Sequence, residues 1–288
     1  MVDSPQTEPT WPELLGRDDW NGLLDPLSLS LRRLILRCGD FCQATYDAFN
    51  NDGNSKYAGS SRYGKNSFFN KVMLESASDY QVYSFLYTTA KVNFFQALFL
   101  HSLSREAWDR ETNWIGYTAV TTDEVSRVRG RREAYVVWCG TSRNYEWLNV
   151  LRARPESADP LLRPNSWEKR SPDDSSSSDE DENEPKVMNC WLTIYVSNDP
   201  NSSFTKLSAR EQILAKINAL RDQYKDEDLS IILTGHSLGA CLAILSAFAE
   251  PGIKYSSFKM ALDLFTKAKL LFTFSSNSPS LPFQPAPT

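Results

Sequence analysis

A serine between two glycines is the feature of this sequence that most directly indicates chemistry. Residues 235–239 read Gly-His-Ser-Leu-Gly and follow a continuously apolar run at 229–234. In a sharp turn between a strand and a helix, only residues without bulk fit two positions before and after the serine, and Gly235 and Gly239 meet that need. Such a turn holds the hydroxyl clear of the backbone, so we predict Ser237 as a nucleophile that forms an acyl-ester intermediate.

The same turn is expected to stabilise negative charge. It directs the Leu238 amide and the N-terminus of the next helix towards the oxyanion that develops during acyl transfer. The predicted helix carries small residues that allow it to lie close to a sheet, namely Ala240, Cys241, Ala243 and Ala247. Spacing and residue type alone therefore predict a serine hydrolase.

The elements around this turn predict an α/β fold. Residues 208–211 (Ser-Ala-Arg-Glu) form a capping box, and apolar residues then recur at helical spacing as far as Tyr224. We expect a strand at 191–196, this helix, and a buried strand at 229–234. Such a βαβ unit implies a sheet that is at least partly parallel.

The first half of the chain predicts a helix and an antiparallel strand pair. Asp25-Pro26 is expected to open a helix that runs to about residue 50. Period-two patterns at 115–120 and 134–138, joined by a short polar link, predict the strand pair. Trp11 and Trp20 could dock on the core.

Composition argues against several classes of function. The 288 residues carry a net charge of −5, which gives no basic field for nucleic acid or an anionic membrane. No N-terminal signal and no apolar run of about 18 residues is visible. The five cysteines lack metal-site spacing. We expect a cytoplasmic protein with no metal or cofactor and at most peripheral membrane contact. The sequence does not indicate an oligomeric state.

Several motifs together resemble the class 3 (fungal-type) lipase domain, and within it the plant phospholipase A1-II group. They are GHSLGA at 235–240, SAREQ at 208–212, NWIGY at 113–117, EW at 146–147, WLTIY at 191–195, and WPELLG at 11–16 with Trp20 and LLDPL at 23–27. The resemblance implies an α/β-hydrolase fold whose central sheet is mixed, mostly parallel and flanked by helices. It also implies cleavage of the sn-1 acyl ester of phospholipids.

The stretch 136–141 resembles the oxyanion strand of that family. Thr141 stands where a second backbone amide would join Leu238 in holding the oxyanion. Cys139 occupies a position at which the family usually has arginine, and Asn149 one at which it usually has aspartate. An ordinary core strand is the alternative interpretation of this stretch.

The sequence does not supply a complete catalytic triad. The reaction needs a histidine base and an acid that orients it, and in this fold both follow the serine. The two histidines are His101 and His236, and neither follows Ser237. We expect His236 to be directed elsewhere, and His101 to serve packing or a lid rather than catalysis. Asp263 does not match the family's triad aspartate, so no triad Asp or His is identified.

These observations define the predicted organisation. We expect an N-terminal segment at 1–24, a partial lipase domain at 25–254 with a disordered acidic loop at 171–186, and a divergent tail at 255–288. The fold would be incomplete at its C-terminal end, as in a shortened or alternatively spliced product. An apolar sheet edge at 229–234 would then be uncovered and activity would be low or absent.

Three functions follow as alternatives. The first is a phospholipase A1-type acylhydrolase. The second is a lipid-binding or regulatory fragment that lacks the triad. The third is a serine esterase that acts on galactolipid or triacylglycerol. The phenylalanine-rich segment 94–103 favours a lipid acyl chain as substrate, although core packing explains it equally well.

Overall fold

The structure is a computed structural model, and it contains a five-stranded sheet with helices on both faces. It describes residues 8–52, 54–89, 112–140, 155–158, 161, 186–248 and 258–262. The strands are β1 (Tyr80–Thr89), β2 (Thr112–Thr121), β3 (Arg132–Trp138), β4 (Pro155–Ser157), β5 (Lys186–Met188), β6 (Leu229–Gly235) and β7 (Phe258–Leu262). The α-helices are α1 (Trp11–Leu14), α2 (Leu29–Ala48), α3 (Phe68–Lys71), α4 (Asp123–Arg129), α5 (Asn189–Val196), α6 (Ala209–Gln223) and α7 (Leu238–Phe248).

The main sheet is mixed, with strand order β1-β2-β3-β6-β7. β1, β2 and β3 pair antiparallel, whereas β3, β6 and β7 pair parallel. The mixed α/β sheet and the antiparallel β2–β3 pair are confirmed. The described pairings are evenly divided between the two types, so this part of the sheet is not mostly parallel as predicted.

The predicted uncovered edge at 229–234 is wrong. β6 is an inner strand, hydrogen-bonded on one side to β3 and on the other to β7. The β7 sequence, Phe-Lys-Met-Ala-Leu, has no regular alternation of apolar and polar residues. It is nevertheless apolar enough to extend a parallel sheet. The backbone groups of β6 therefore have partners on both sides.

Two hydrophobic clusters lie on the two faces of this sheet. On one face, Val136, Trp138 and Leu233 pack with α5, α6 and α7. On the other face, Tyr117, Tyr135 and Ile232 pack with α2 and α3. Because β3 and β6 are covered on both faces, their residues are almost completely buried, which explains their continuous apolar runs.

The N-terminal helix begins later than predicted. α2 starts at Leu29 with Ser28 as its N-cap, and the Ser28 hydroxyl accepts the Leu31 amide at 3.5 Å. A serine N-cap satisfies an amide at the helix start, so Asp25-Pro26 instead lies in the preceding turn. The buried face of the helix includes Leu31, Cys38 and Phe41, and Trp11 packs against the same face of the sheet.

The predicted strand at 191–196 is wrong, because these residues form most of α5. Tryptophan, threonine, isoleucine, tyrosine and valine favour a strand, but a short apolar run does not distinguish a strand from a buried helix. Leu192, Ile194 and Tyr195 are buried in the core, and the Thr193 hydroxyl bonds to the Asn189 carbonyl at 2.8 Å. Tertiary packing thus overrides the local preference. By contrast, the capping box of α6 is present as predicted.

Several sequence predictions fall outside the described residues. These are the predictions for the acidic loop at 171–186, apart from Lys186, and for the phenylalanine-rich segment 94–103. β7 begins four residues beyond the predicted domain boundary at 254, which stays a prediction. Among the helices of the described ranges, none has both the length and the apolar character needed to cross a bilayer.

The amino end of β3 carries a buried carboxylate. Glu133 is 1% exposed and receives a hydrogen bond from Arg129 Nη1 at 2.7 Å. Two more arginines and two tyrosine hydroxyls also contact this carboxylate, namely Arg37, Arg131, Tyr80 and Tyr135. Five donors around one buried carboxylate supply the hydrogen bonds that a buried charge requires.

Arg132, the neighbour of Glu133, completes the charged end of the sheet. Its guanidinium donates to the Thr121 carbonyl at 2.7 Å, to Asp123 at 2.9 Å and to Glu227 at 2.8 Å. It also lies over the Tyr224 ring, 4.1 Å from the centroid. The strands β3 and β6 therefore begin in an ionic network.

Candidate active site

Ser237 lies in the turn between β6 and α7, at the carboxyl end of the parallel strands. It is a non-glycine residue in the left-handed region, with φ of 55°. An L-residue there costs about 1–2 kcal/mol, so the surrounding structure must hold it in place. The side chain is half-buried at the carboxyl edge of the sheet, where ligands bind in α/β folds.

The two glycines of the turn are required by close backbone contacts. A Cβ at Gly235 would lie 2.2 Å from the carbonyl carbon and oxygen of Gly239. A Cβ at Gly239 would lie 2.4 Å from the Trp138 carbonyl oxygen. The first contact closes the turn on itself, and the second brings the start of α7 against the end of β3. The structure thus places Gly235 and Gly239 where any side chain would force the backbone apart.

The turn is closed by backbone hydrogen bonds. The Gly239 amide donates to the His236 carbonyl at 2.9 Å, and the Ala240 amide donates to the Ser237 carbonyl at 3.0 Å. Within the described part of the chain, the Leu238 amide has no acceptor. It is the first residue of α7, where helix amides lack intrahelical partners and favour negative charge.

The end of β3 lies beside this turn. Trp138 pairs with Gly235 in the parallel register, so Cys139 and Gly140 continue the strand next to the turn. The Cys139 thiol donates to the Gly140 carbonyl at 3.1 Å, and burial raises the pKa of Cys139 to about 12. This residue is therefore neutral at physiological pH.

His236 is joined to helix α2. Its Nδ1 lies 2.5 Å from the Tyr46 hydroxyl, and the two rings meet edge to face with centroids 5.6 Å apart. His236 is the one histidine within the described ranges, and its Nδ1 is engaged by Tyr46. No hydrogen bond from a described residue reaches the Ser237 hydroxyl.

Comparison with known proteins identifies the family. The lipase (class 3) family matches residues 135–274. Phospholipase A1-IIdelta of Arabidopsis thaliana is 61% identical over 252 residues, which cover 85% of this chain and 61% of that protein. Phospholipase A1-II 5 of Oryza sativa subsp. indica is 45% identical over 238 residues, which cover 83% of this chain and 48% of that protein.

The chain belongs to the class 3 lipase family. It spans less than two thirds of the length of either plant relative. Among solved structures, the native Rhizomucor miehei lipase propeptide complex is similar at a TM-score of 0.41 and 14% identity, over 81% of this chain and 52% of that one. The strand, the turn at Ser237 and the helix that follows agree with the α/β-hydrolase fold of this family.

Thr141, the predicted second oxyanion donor of this lipase-family chain, lies outside the described residues. So do Asn149, His101 and Asp263, to which the sequence assigned no catalytic role. Thr141 directly follows Gly140, and its role as a second oxyanion donor stays a prediction. The described ranges contain no group of three or more His, Cys, Asp or Glu side chains that could hold a metal ion.

Sequence reasoning missed Tyr46 as a site residue. It belongs to the helical stripe of α2 and so reads as a core residue in the sequence. It is separated from His236 by 190 positions, so no local pattern links the two. A tyrosine in an otherwise apolar stripe was the available signal, since a buried hydroxyl usually has a partner.

Proposed function

We propose that this chain is an acylhydrolase that cleaves the sn-1 acyl ester of phospholipids through Ser237. The observation that supports it most is the left-handed backbone of Ser237 at the end of a parallel strand. Backbone strain of this kind clusters at functional sites, which favours a functional role for this serine. The names of the two plant relatives, both phospholipases A1, support the substrate class.

In the proposed reaction, Ser237 Oγ attacks the ester carbonyl carbon while a base takes the hydroxyl proton. The resulting oxyanion accepts a hydrogen bond from the Leu238 amide, joined by the Thr141 amide. Collapse of this intermediate breaks the ester bond, and the base returns the proton to the departing lysophospholipid oxygen. Water then attacks the acyl-serine with help from the same base, which releases the fatty acid and restores the serine.

The reaction requires a base, and no triad histidine has been identified for it. This gap favours a second candidate function. The described histidine is engaged by Tyr46, and the sequence contains one other, His101. Loss of a triad histidine typically lowers turnover by about 10⁶. A lipid-binding or regulatory protein that retains the acyl-binding surface without turnover is therefore the alternative.

Hydrolysis of phosphatidylcholine labelled at the sn-1 acyl group distinguishes the two. The full 288-residue chain is compared with Ser237→Ala and with Ser78→Ala, a control at an exposed serine. We expect the first substitution to reduce release of the labelled fatty acid to background and the control to have no effect. Triacylglycerol and galactolipid tested in parallel define the substrate class.

Two outcomes would change the proposal. Release at the same rate from Ser237→Ala would show that this serine is not the nucleophile. No release from any of the folded proteins, together with equal binding to phosphatidylcholine vesicles, would support the lipid-binding alternative.

A further inference from the structure

The hydroxyl of Tyr46 lies where three parts of the fold meet. It is 2.5 Å from His236 Nδ1 in the turn that carries Ser237. It also lies against Gly140 at the end of β3, because a Cβ built there would be 2.0 Å from this oxygen. The same Cβ would be 2.6 Å from the His236 carbonyl oxygen. One side chain of α2 thus contacts the residue before Ser237 and the residue before Thr141.

The helix that carries Tyr46 is held firmly against the sheet. α2 is fixed to the sheet by Phe41, Ala44 and Ala48, which are buried in the core. The Tyr117 hydroxyl donates to the Phe41 carbonyl at 2.9 Å, and Cys42 Sγ lies 3.3 Å from Thr234 Oγ1. These contacts leave the helix little freedom to move relative to β6.

The hydrogen bond between Tyr46 and His236 restricts the His236 backbone carbonyl as well as the imidazole ring. The His236 carbonyl accepts the Gly239 amide at 2.9 Å and so closes the turn. A short hydrogen bond to the imidazole restricts rotation of this residue, and with it the direction of the carbonyl. The contact with Gly140 restricts the neighbouring strand end in the same way, and both segments lead directly to predicted oxyanion donors.

We propose that Tyr46 is a positioning residue that sets the spacing between the Ser237 turn and the end of β3. This inference rests on the proposed acyl-transfer function, in which one amide from each segment binds the oxyanion. Removal of one oxyanion donor typically lowers turnover by about 10²–10³. Tyr46→Phe loosens both donors without removing either, so we expect about a tenfold fall in kcat with little change in KM.

The matched control is Tyr117→Phe. It removes a buried tyrosine hydroxyl that also bonds to α2, but to the Phe41 carbonyl rather than to the turn. Hydrogen exchange of residues 234–241 and the ¹⁵N spectrum of the His236 imidazole are measured for both variants of the full chain. His101 is the one other histidine in the sequence, so the imidazole of His236 has to be distinguished from only one other imidazole.

We expect Tyr46→Phe to speed exchange in residues 234–241 at least tenfold and to change the tautomer signature of His236, with both unchanged in Tyr117→Phe. Equal exchange in the two variants, or an unaltered imidazole spectrum, would overturn the proposal. These measurements do not need turnover, so they decide the positioning role even if the proposed hydrolysis fails. If the protein hydrolyses phosphatidylcholine, a kcat of Tyr46→Phe equal to that of the wild type would also overturn it.

Discussion

The two ends of β3 are built from opposite kinds of chemistry. At the amino end, Glu133 and Arg132 lie in an ionic network of arginines, carboxylates and tyrosine hydroxyls. At the carboxyl end, Cys139 and Gly140 lie beside Ser237 among close backbone contacts, a neutral thiol and one tyrosine–histidine bond. Arg132 and Trp138 are the first and last residues of one seven-residue strand.

The amino end of β3 is thus characterised by buried charge, and the carboxyl end by backbone strain. The amino end holds the buried Glu133 carboxylate and Arg132 guanidinium, each of which is paired with opposite charge. The carboxyl end contains the left-handed serine and glycines that admit no side chain. Backbone dipoles stabilise a developing oxyanion more strongly where the surroundings are less polar, and Cys139 at that end is buried.

The largest expected effect is at the charged end. Glu133→Gln keeps the shape of the side chain but leaves the three surrounding arginines without their shared carboxylate. We expect the free energy of unfolding to fall by about 3–5 kcal/mol, as when one partner of a buried ionic cluster is removed. Urea unfolding at neutral pH measures this change.

The control for this prediction is Asp123→Asn. Asp123 also pairs with a buried arginine, but its side chain is 81% exposed, so its loss should cost less than about 1 kcal/mol. The ¹⁵N spectrum of the His236 imidazole should be unchanged in both variants, because the network lies at the other end of the sheet. A loss below about 1 kcal/mol for Glu133→Gln would show that the network does not stabilise the fold.

The second prediction concerns alkaline pH at the other end of β3. Burial raises the pKa of Cys139 from 9.0 to about 12, so the folded state retains a proton that the unfolded state loses above about pH 9. The contribution of this neutral thiol to stability is complete below pH 9 and is lost as pH rises towards 12. For one group, the free energy of unfolding should fall by about 1.4 kcal/mol per pH unit in that range.

Cys139→Ala isolates that contribution, because its cost in packing is the same at every pH. Urea unfolding of the wild type and the variant between pH 8 and 11 should give curves that converge as pH rises. Parallel curves would mean that the Cys139 thiol ionises equally easily in the folded and unfolded states.

Local sequence patterns were sufficient for the segment from α6 to α7. The capping box at Ser208, the buried strand β6 and the glycines around Ser237 each depend on neighbours in sequence, and the structure contains all these elements. The α/β class and the antiparallel β2–β3 pair were predictable for the same reason.

Features that depend on distant residues were not predictable. Residues 191–196 have strand-forming side chains, yet the core selects a helix. The pairing of β7 with β6 could not be inferred from a five-residue segment with four apolar residues. Tyr46 and His236 meet only after α2 and β6 pack together, so the contact between them is a product of the tertiary fold.

The smallest expected effect tests whether strain is stored at Ser237. Ser237→Gly removes the Cβ that disfavours a φ of 55°, whereas Ser237→Ala removes the hydroxyl and retains the Cβ. We expect the glycine variant to be about 1 kcal/mol more stable than the alanine variant, since relief of left-handed strain exceeds the entropy that glycine loses on folding. Urea unfolding of the two variants measures the difference directly.

The comparison between these two variants is informative because neither has a hydroxyl at residue 237, so the loss of the hydroxyl is common to both. Any difference in stability then reports the backbone alone. The sign is reversed at an ordinary helical position, where alanine is more stable than glycine by about 1 kcal/mol. An alanine variant as stable as the glycine variant would mean that the turn imposes no strain on residue 237. The serine there would then need no functional explanation for its unusual backbone.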